Sequence, residues 1–189
     1  MPDIAIIGEK TFLFEKLLDE AGREYQFVKP EIFGSPFLPR FRVVVIPTGF
    51  ANPQYSKVLP ALKASKSRIA EFLEKGGVLT IYGPLVPDHE YEYEWLPLSL
   101  KYIGEYGNTE LVPASDHRCT SLVDAKTADC DGYLIPGEGF ETALADFKGR
   151  SVLVIGKFGR GKIVATTIHE FPSVDYLRWA AEEGEPAKI

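Results

Sequence analysis

The chain has 189 residues, 45% of them apolar and 25% charged, which suits one domain over residues 1–189 with a core of ordinary size and excludes global disorder. Its 27 acidic and 21 basic side chains leave a net charge of −6, which argues against a partner bound through its phosphate backbone, such as a nucleic acid. No run approaches the roughly 18 apolar residues of a membrane span, and the opening residues lack the basic segment of a secretory leader, so no membrane and a cytoplasmic setting are expected.

In chain order, Ile4-Ala5-Ile6-Ile7 is a short continuous apolar run stopped by Gly8, the pattern of a strand buried on both faces. A helix is predicted from Thr11 to Ala21, because Phe14, Leu17, Leu18 and Ala21 fall on one stripe, and Gly22 is its natural stop. Tyr25 to Val28 reads as a second strand. The proline-rich stretch after it must cross the sheet and has room for a helical turn. Val43-Val44-Val45-Ile46 is a third strand, ending in the turn Pro47-Thr48-Gly49-Phe50. A helix lies between Tyr55 and Lys75, with Pro60 in its first turn or at a break. Val78 to Tyr82 is the next buried strand, closed by Gly83-Pro84. Strands alternating with helices imply a parallel sheet with right-handed crossovers.

Residues 85–150 are rich in proline and glycine and weakly periodic, with strand-like pieces at Leu98 to Ile103 and Gly132 to Ile135. Residues 151–155 and 162–168 flank a glycine-rich hexapeptide, 156–161, and predict a β-hairpin. That hexapeptide looks like a phosphate loop only superficially, because it lacks the G-K-[ST] ending and a strand, not a helix, follows it. Ser173 opens a closing helix carrying Val174, Leu177 and Ala181 on one face, and the acidic tail after Glu182 is expected to fray.

The two cysteines, Cys119 and Cys130, lack the spacing of a zinc site even with His117 nearby, so no metal is predicted, and no cofactor motif is present. Gln26, Gln54, Asn52 and Asn108 are the only amides and Met1 the only methionine, a depletion of thermolabile types that fits a thermophile.

In open parallel sheets ligands bind beyond the carboxyl ends of the strands. That places the turns at Gly8, Gly49 and Gly83 on the binding edge, with Gly49, Phe50, Gly83 and Pro84 as candidate ligand contacts. If strand 162–168 runs parallel to its neighbours, His169 and Glu170 reach the same edge. An imidazole and a carboxyl there could serve acid–base chemistry, or the histidine could simply fasten a loop. Residues 88–95 alternate acids with His89, Tyr91, Tyr93 and Trp95, so an extended chain there has one acidic and one aromatic face. The segment is either a lid over the site, suited to a sugar or a cation, or a loop whose aromatics pack down.

Residues 43–49 (VVVIPTG), 71–77 (EFLEKGG), 78–83 (VLTIYG) and 159–170 (GRGKIVATTIHE) together resemble the class I glutamine amidotransferase-like superfamily. The segments 116–120 (DHRCT) and 131–133 (DGY) resemble its non-amidotransferase branches, which include the ThuA-like, β-galactosidase trimerisation-like and biotin-protein-ligase N-terminal-like groups. The resemblance implies an α/β, flavodoxin-like three-layer sandwich with a mostly parallel sheet and an antiparallel β-hairpin extension. It also implies that Tyr82 stands where an amidotransferase carries its cysteine nucleophile, and that His169 with Glu170 stands at the place of the histidine and acid. A phenol is a poor nucleophile at neutral pH. Adjacent side chains on a strand point to opposite faces, so Glu170 need not orient His169. Glutaminase activity is therefore not expected. The two functional expectations are a small-molecule-binding or assembly module, homo-oligomeric and of unknown ligand, and a hydrolase or proton-transfer enzyme using His169 with Tyr82 or Glu170 assisting.

The composition predicts a melting midpoint above the roughly 45–65 °C typical of mesophilic domains. Scanning calorimetry checks this, and a midpoint near the low end of that range contradicts a thermophilic origin.

Overall fold

A computed structural model describes residues 2–8 and 12–189. The predicted start of the first helix at Thr11 lies outside these residues. Strands β1 (Ile4–Ile7), β3 (Val43–Ile46) and β4 (Val78–Ile81) are buried along their whole length, as their unbroken apolar runs require. Strand β2 (Tyr25–Val28) is half-buried at the edge of the sheet. Helix α1 (Phe12–Ala21) joins β1 to β2, and a 3-10 turn at Pro30–Ile32 follows β2. Between β3 and β4 the chain forms two helices, α2 (Val58–Ala64) and α3 (Lys66–Glu74), broken at Ser65, with Pro60 in the first turn of α2.

The rest of the sheet comes from β5 (Glu90–Glu92), β6 (Leu100–Glu110), β7 (Val112–Pro113), β8 (Thr127–Pro136), β9 (Phe140–Ala145), β10 (Ser151–Phe158) and β11 (Gly161–Thr166). The main path runs β2-β1-β3-β4-β11-β10-β8-β6-β5, with β9 and β7 added beside β10. The pairings β2–β1, β1–β3, β3–β4 and β4–β11 are parallel. The pairings from β11 through β10, β8 and β6 to β5, and from β10 through β9 to β7, are antiparallel. The fold is α/β, and its sheet is mixed and more antiparallel than parallel, which corrects the mostly parallel sheet expected from sequence. The reason lies in residues 85–150. Strands β6 and β8 are long, but β6 is interrupted at a bulge between Gly104 and Gly107 and half of it is exposed, so it lacks the apolar run that marks a buried strand.

The hairpin β10–β11 forms as predicted, turning at Gly159 with a backbone φ of +58°, where a Cβ atom would come within 2.5 Å of the Glu74 Cα. Because β11 then pairs in parallel with β4, from Lys162 opposite Val78 to Ala165 opposite Ile81, its carboxyl end arrives beside that of β4.

Two apolar layers sandwich the sheet. One holds Ile69, Phe72 and Leu73 of α3 with Phe50, Tyr93 and Trp95. The other holds Phe14 and Leu18 of α1 with Tyr176, Leu177 and Trp179 of α4 (Val174–Glu183). Ser173 caps α4, its hydroxyl accepting from the Tyr176 amide at 3.0 Å.

The C-terminal tail does not fray. Ala187 exchanges two backbone hydrogen bonds of 2.9 Å with Phe41, Lys188 donates to the Pro36 and Leu38 carbonyls, and Ile189 is buried in the layer beneath α3. Charge patterning misleads here because two small or branched apolar residues, not the acids, carry the contact. Replacing Ile189 by Ala should cost about 2 kcal/mol, at the lower end for a buried isoleucine. Denaturant unfolding measures it, and an unchanged midpoint would mean that the tail is not part of the core.

Candidate functional site

Three strand ends meet at one edge of the sheet. Strand β1 ends in Gly8, β3 runs into Pro47-Thr48-Gly49, and β4 runs into Tyr82-Gly83. The Gly49 amide donates to the Gly83 carbonyl at 2.8 Å and the Tyr82 amide to the Ile46 carbonyl at 3.0 Å, which locks the two turns together. Gly49 holds a φ of +77°, a backbone conformation that favours glycine.

Beyond β11 the chain is stitched to β8. Asp131 donates its amide to the Thr167 carbonyl, and His169 donates its amide to the Asp129 carbonyl, each at 2.8 Å. The Thr167 hydroxyl donates to the Gly132 carbonyl at 2.7 Å. Gly132 has no room for a side chain, since a Cβ there would lie 2.0 Å from the Ile103 carbonyl oxygen. This close pairing of β8 with β6, Gly132 opposite Gly104, brings Asp131 to the edge.

There the Asp131 carboxylate meets the imidazole: Oδ1 lies 2.8 Å from His169 Nδ1. The Asp131 side chain is 1% exposed and that of His169 48% exposed, so a buried acid holds a ring that reaches solvent. An ionised carboxyl is an acceptor only, so in that state it takes a hydrogen bond from His169 Nδ1 and leaves Nε2 outside the pair. The Tyr102 hydroxyl donates to the Asp131 carbonyl at 2.8 Å and steadies the strand behind it. Gly83 makes the pair possible from the other side, because a Cβ at that position would lie 2.7 Å from Asp131 Oδ2.

Burial raises the Asp131 carboxyl above the ordinary aspartate range. The His169 hydrogen bond and charge oppose that shift, and the nearby Glu170 adds to it. Glu170 does not bond the imidazole. Its Oε1 accepts from the Asp129 amide at 3.1 Å, and its Oε2 is buried without a partner.

Tyr82 is 4% exposed and its hydroxyl is likewise buried without a partner. Burial pushes its phenol well above 10, with Tyr176 and Glu170 adding, so the phenolate is disfavoured as a nucleophile. Both cysteines are free and buried, and burial drives each thiol up to about 12. They form no disulfide, and neither lines the cavity described next.

His169, Glu170 and Tyr82 share a cavity of about 260 Å³ with Ile6, Phe14, Phe27, Pro47, Thr48 and Phe171. Gly49, Gly83 and Pro84, expected as ligand contacts, do not line this cavity. Phe50 is fully buried and sits among Tyr91, Tyr93 and Trp95, with ring centroids 5.8, 6.0 and 5.8 Å away. The same cluster accounts for residues 88–95. Their acids face solvent and Tyr93 and Trp95 pack inward, with the Trp95 indole N–H donating to the Tyr91 hydroxyl at 2.9 Å. The segment is an edge of the sheet, paired to β6, and is not a lid over the cavity. His117 is structural: its Nδ1 accepts from the Cys119 amide at 3.1 Å and its ring stands edge-on to Trp179. Among the described residues no group of three or more His, Cys, Asp or Glu side chains is placed to hold a metal ion. Among them, too, no helix is long and apolar enough to cross a membrane.

Sequence reasoning reached His169 but not its partner. Asp131 lies 38 residues away on a strand that periodicity marks only in part. The one local signal is the Asp-Gly pair, whose glycine permits the close approach of β8 to β6.

No protein-family model and no curated protein matches the chain. Solved structures do. A GMP synthase subunit from Thermoplasma acidophilum superposes with a TM-score of 0.61 at 14% identity, over 96% of this chain and 94% of that one. The chain has a glutamine amidotransferase-like fold. A glutamine amidotransferase from Thermotoga maritima agrees, with a TM-score of 0.56 at 16% identity, over 89% of this chain and 76% of that one. A β-galactosidase from Bacillus circulans contains the same fold as one part of a longer protein. The TM-score is 0.54 at 15% identity, and the match covers 96% of this chain but 30% of the enzyme. Such identities establish the amidotransferase-like fold and not an activity.

The raised Asp131 pKa has a sign for stability. The folded state holds that proton to higher pH than the unfolded chain does, so stability is highest below the ordinary carboxylate range and falls as pH rises through the raised value. Asp131→Asn should therefore melt no lower than the parent at pH 7, and its advantage should shrink towards pH 4. Thermal melts across that range check it; a variant that melts far lower at pH 7 would show the carboxylate to be stabilising.

Proposed function

We propose that the chain is a small-molecule-binding domain of amidotransferase-like fold whose cavity carries a histidine general base in place of a covalent nucleophile. The observation that supports this is the 2.8 Å contact between buried Asp131 and half-exposed His169, with the ring on the wall of an apolar cavity. An oriented neutral imidazole beside a sheltered pocket suits water activation or proton abstraction near neutral pH. His169 is the base in this reading, Asp131 its positioning residue, and Glu170 and Tyr82 contact the ligand. Gly49, Phe50, Gly83 and Pro84 become supports of the wall.

The reading takes Tyr82 as the occupant of the nucleophile's position at the end of β4. With no thiol there, and with burial disfavouring the phenolate, glutamine hydrolysis through a covalent intermediate has no nucleophile. This favours a non-amidotransferase branch of the superfamily, near the ThuA-like and biotin-protein-ligase N-terminal-like groups, and a flavodoxin-like arrangement of the parallel strands and their helices. A cytoplasmic, thermophilic setting and a homo-oligomer complete the proposal, the last favoured by the exposed aromatics Phe37, Tyr55, Tyr106 and Phe147.

The test uses an activated ester, p-nitrophenyl acetate, with glutamine as a second substrate. The protein should hydrolyse the ester without a burst, His169→Ala should lower the rate by about 100-fold or more, and glutamine should release no ammonia. An acyl adduct in the intact mass, or hydrolysis indifferent to His169, contradicts the general-base mechanism.

A further inference from the structure

Two of the buried polar atoms without partners belong to residues that line this one cavity: Glu170 Oε2 and the Tyr82 hydroxyl. A buried carboxyl oxygen with no donor is costly, and native structures retain such groups where something else satisfies them. The Glu170 carboxyl has its other oxygen committed to the Asp129 amide, and no ion pair with a described Lys, Arg or His neutralises it. None of the described residues lining the cavity is Lys or Arg. The third polar group of the wall, His169, presents Nε2 as an acceptor once Nδ1–H is given to Asp131. The polar side of the cavity thus carries the Glu170 carboxyl, the His169 ring and the hydroxyls of Tyr82 and Thr48, and the unpartnered Glu170 oxygen with His169 Nε2 asks for donors.

The remaining wall is apolar. Ile6, Phe14, Phe27, Pro47 and Phe171 form it, and Phe171 stands edge-on to Phe14 with centroids 5.8 Å apart while 46% exposed to solvent. At about 260 Å³ the space suits a compact ligand. An anion would meet the Glu170 carboxyl with no described cation to offset it. A polyol would leave its hydroxyls unmatched against the aromatic wall.

We infer that the cavity binds a small primary amine with an apolar body, its ammonium held by Glu170 Oε2 and the Tyr82 hydroxyl and its body laid against Phe14, Phe27 and Phe171. The inference rests on the small-molecule reading of this site and adds the class of ligand. Held there, the ammonium converts the unpartnered carboxyl into a charge-assisted pair. The aromatic faces add attraction for a cation near them. His169 then stands beside the bound amine, free to act on it or on a water.

Three matched probes test this by ligand-observed NMR and thermal shift at pH 7: 2-phenylethylamine, 2-phenylethanol and 3-phenylpropanoate. The amine should bind roughly tenfold or more tighter than the alcohol, as expected for a charged hydrogen bond, and the carboxylate should not bind. Glu170→Gln keeps an oxygen for the Asp129 amide and should bring the amine down to the affinity of the alcohol. Thr48→Phe, which fills the cavity and leaves the carboxyl in place, should abolish binding of both. Equal affinity of amine and alcohol, preference for the carboxylate, an unaffected Glu170→Gln variant, an unaffected Thr48→Phe variant, or no amine binding at millimolar concentration would each overturn the inference. His169→Ala separates the two readings. Ester hydrolysis that needs His169 without amine binding leaves the general base standing and removes the ligand class; amine binding that survives His169→Ala, with no His169-dependent hydrolysis, does the reverse.

Discussion

The backbone stitch between residues 129–132 and 166–169 is the constraint on which the rest of the site depends. Strand β11 belongs to the parallel half of the sheet through β4 and to the antiparallel half through β10. Once it ends, its continuation bonds to β8, the next strand but one in the sheet, through amides and carbonyls of Asp129, Asp131, Thr167 and His169. These bonds are made by main chain, which every residue carries, so they set geometry without regard to side-chain chemistry. What they set is the meeting of an acid from one half of the sheet with a histidine from the other.

Glycines at two close approaches allow that meeting. Gly132 lets β8 press on β6, and Gly83 leaves space for the Asp131 carboxyl at the end of β4. The carboxyl is then almost wholly enclosed, and the enclosure works against its ionisation. Structural economy would place an apolar residue there. A charge-bearing group held at a cost, beside a ring that reaches solvent, is the arrangement found where a protein uses a base. The same reasoning separates His169 from His117, whose ring caps a turn and stands edge-on to Trp179.

The cavity of this chain lies at the carboxyl edge of the parallel strands, with Ile6, Pro47, Thr48, Tyr82 and residues 169–171 among its lining. Just past β4 stands the buried Tyr82 phenol, and both thiols are buried outside the cavity, with their pKa values raised by that burial. Chemistry without a covalent step asks less of the protein. It needs an oriented base, a sheltered pocket and something to hold the ligand, the parts that the proposed function gives to His169, the apolar wall and the unpartnered oxygens of Glu170 and Tyr82.

The sequence alone determined the parallel half of the sheet, its helices and the β10–β11 hairpin, because strands buried on both faces are spelled as unbroken apolar runs and helices as stripes. It also brought His169 and Glu170 to the edge, since that follows from the direction of one strand. Tertiary structure decided the remainder. The antiparallel half was hidden because its strands are half wet and bulged at glycine, leaving no single period to read. The inward packing of residues 88–95 around Phe50 and the docking of Ile189 were hidden because burial is a property of the neighbours, not of the segment. Asp131 was hidden for the plainest reason: two residues 38 apart become partners only through the path of the backbone between them, and no local pattern encodes a distance in space.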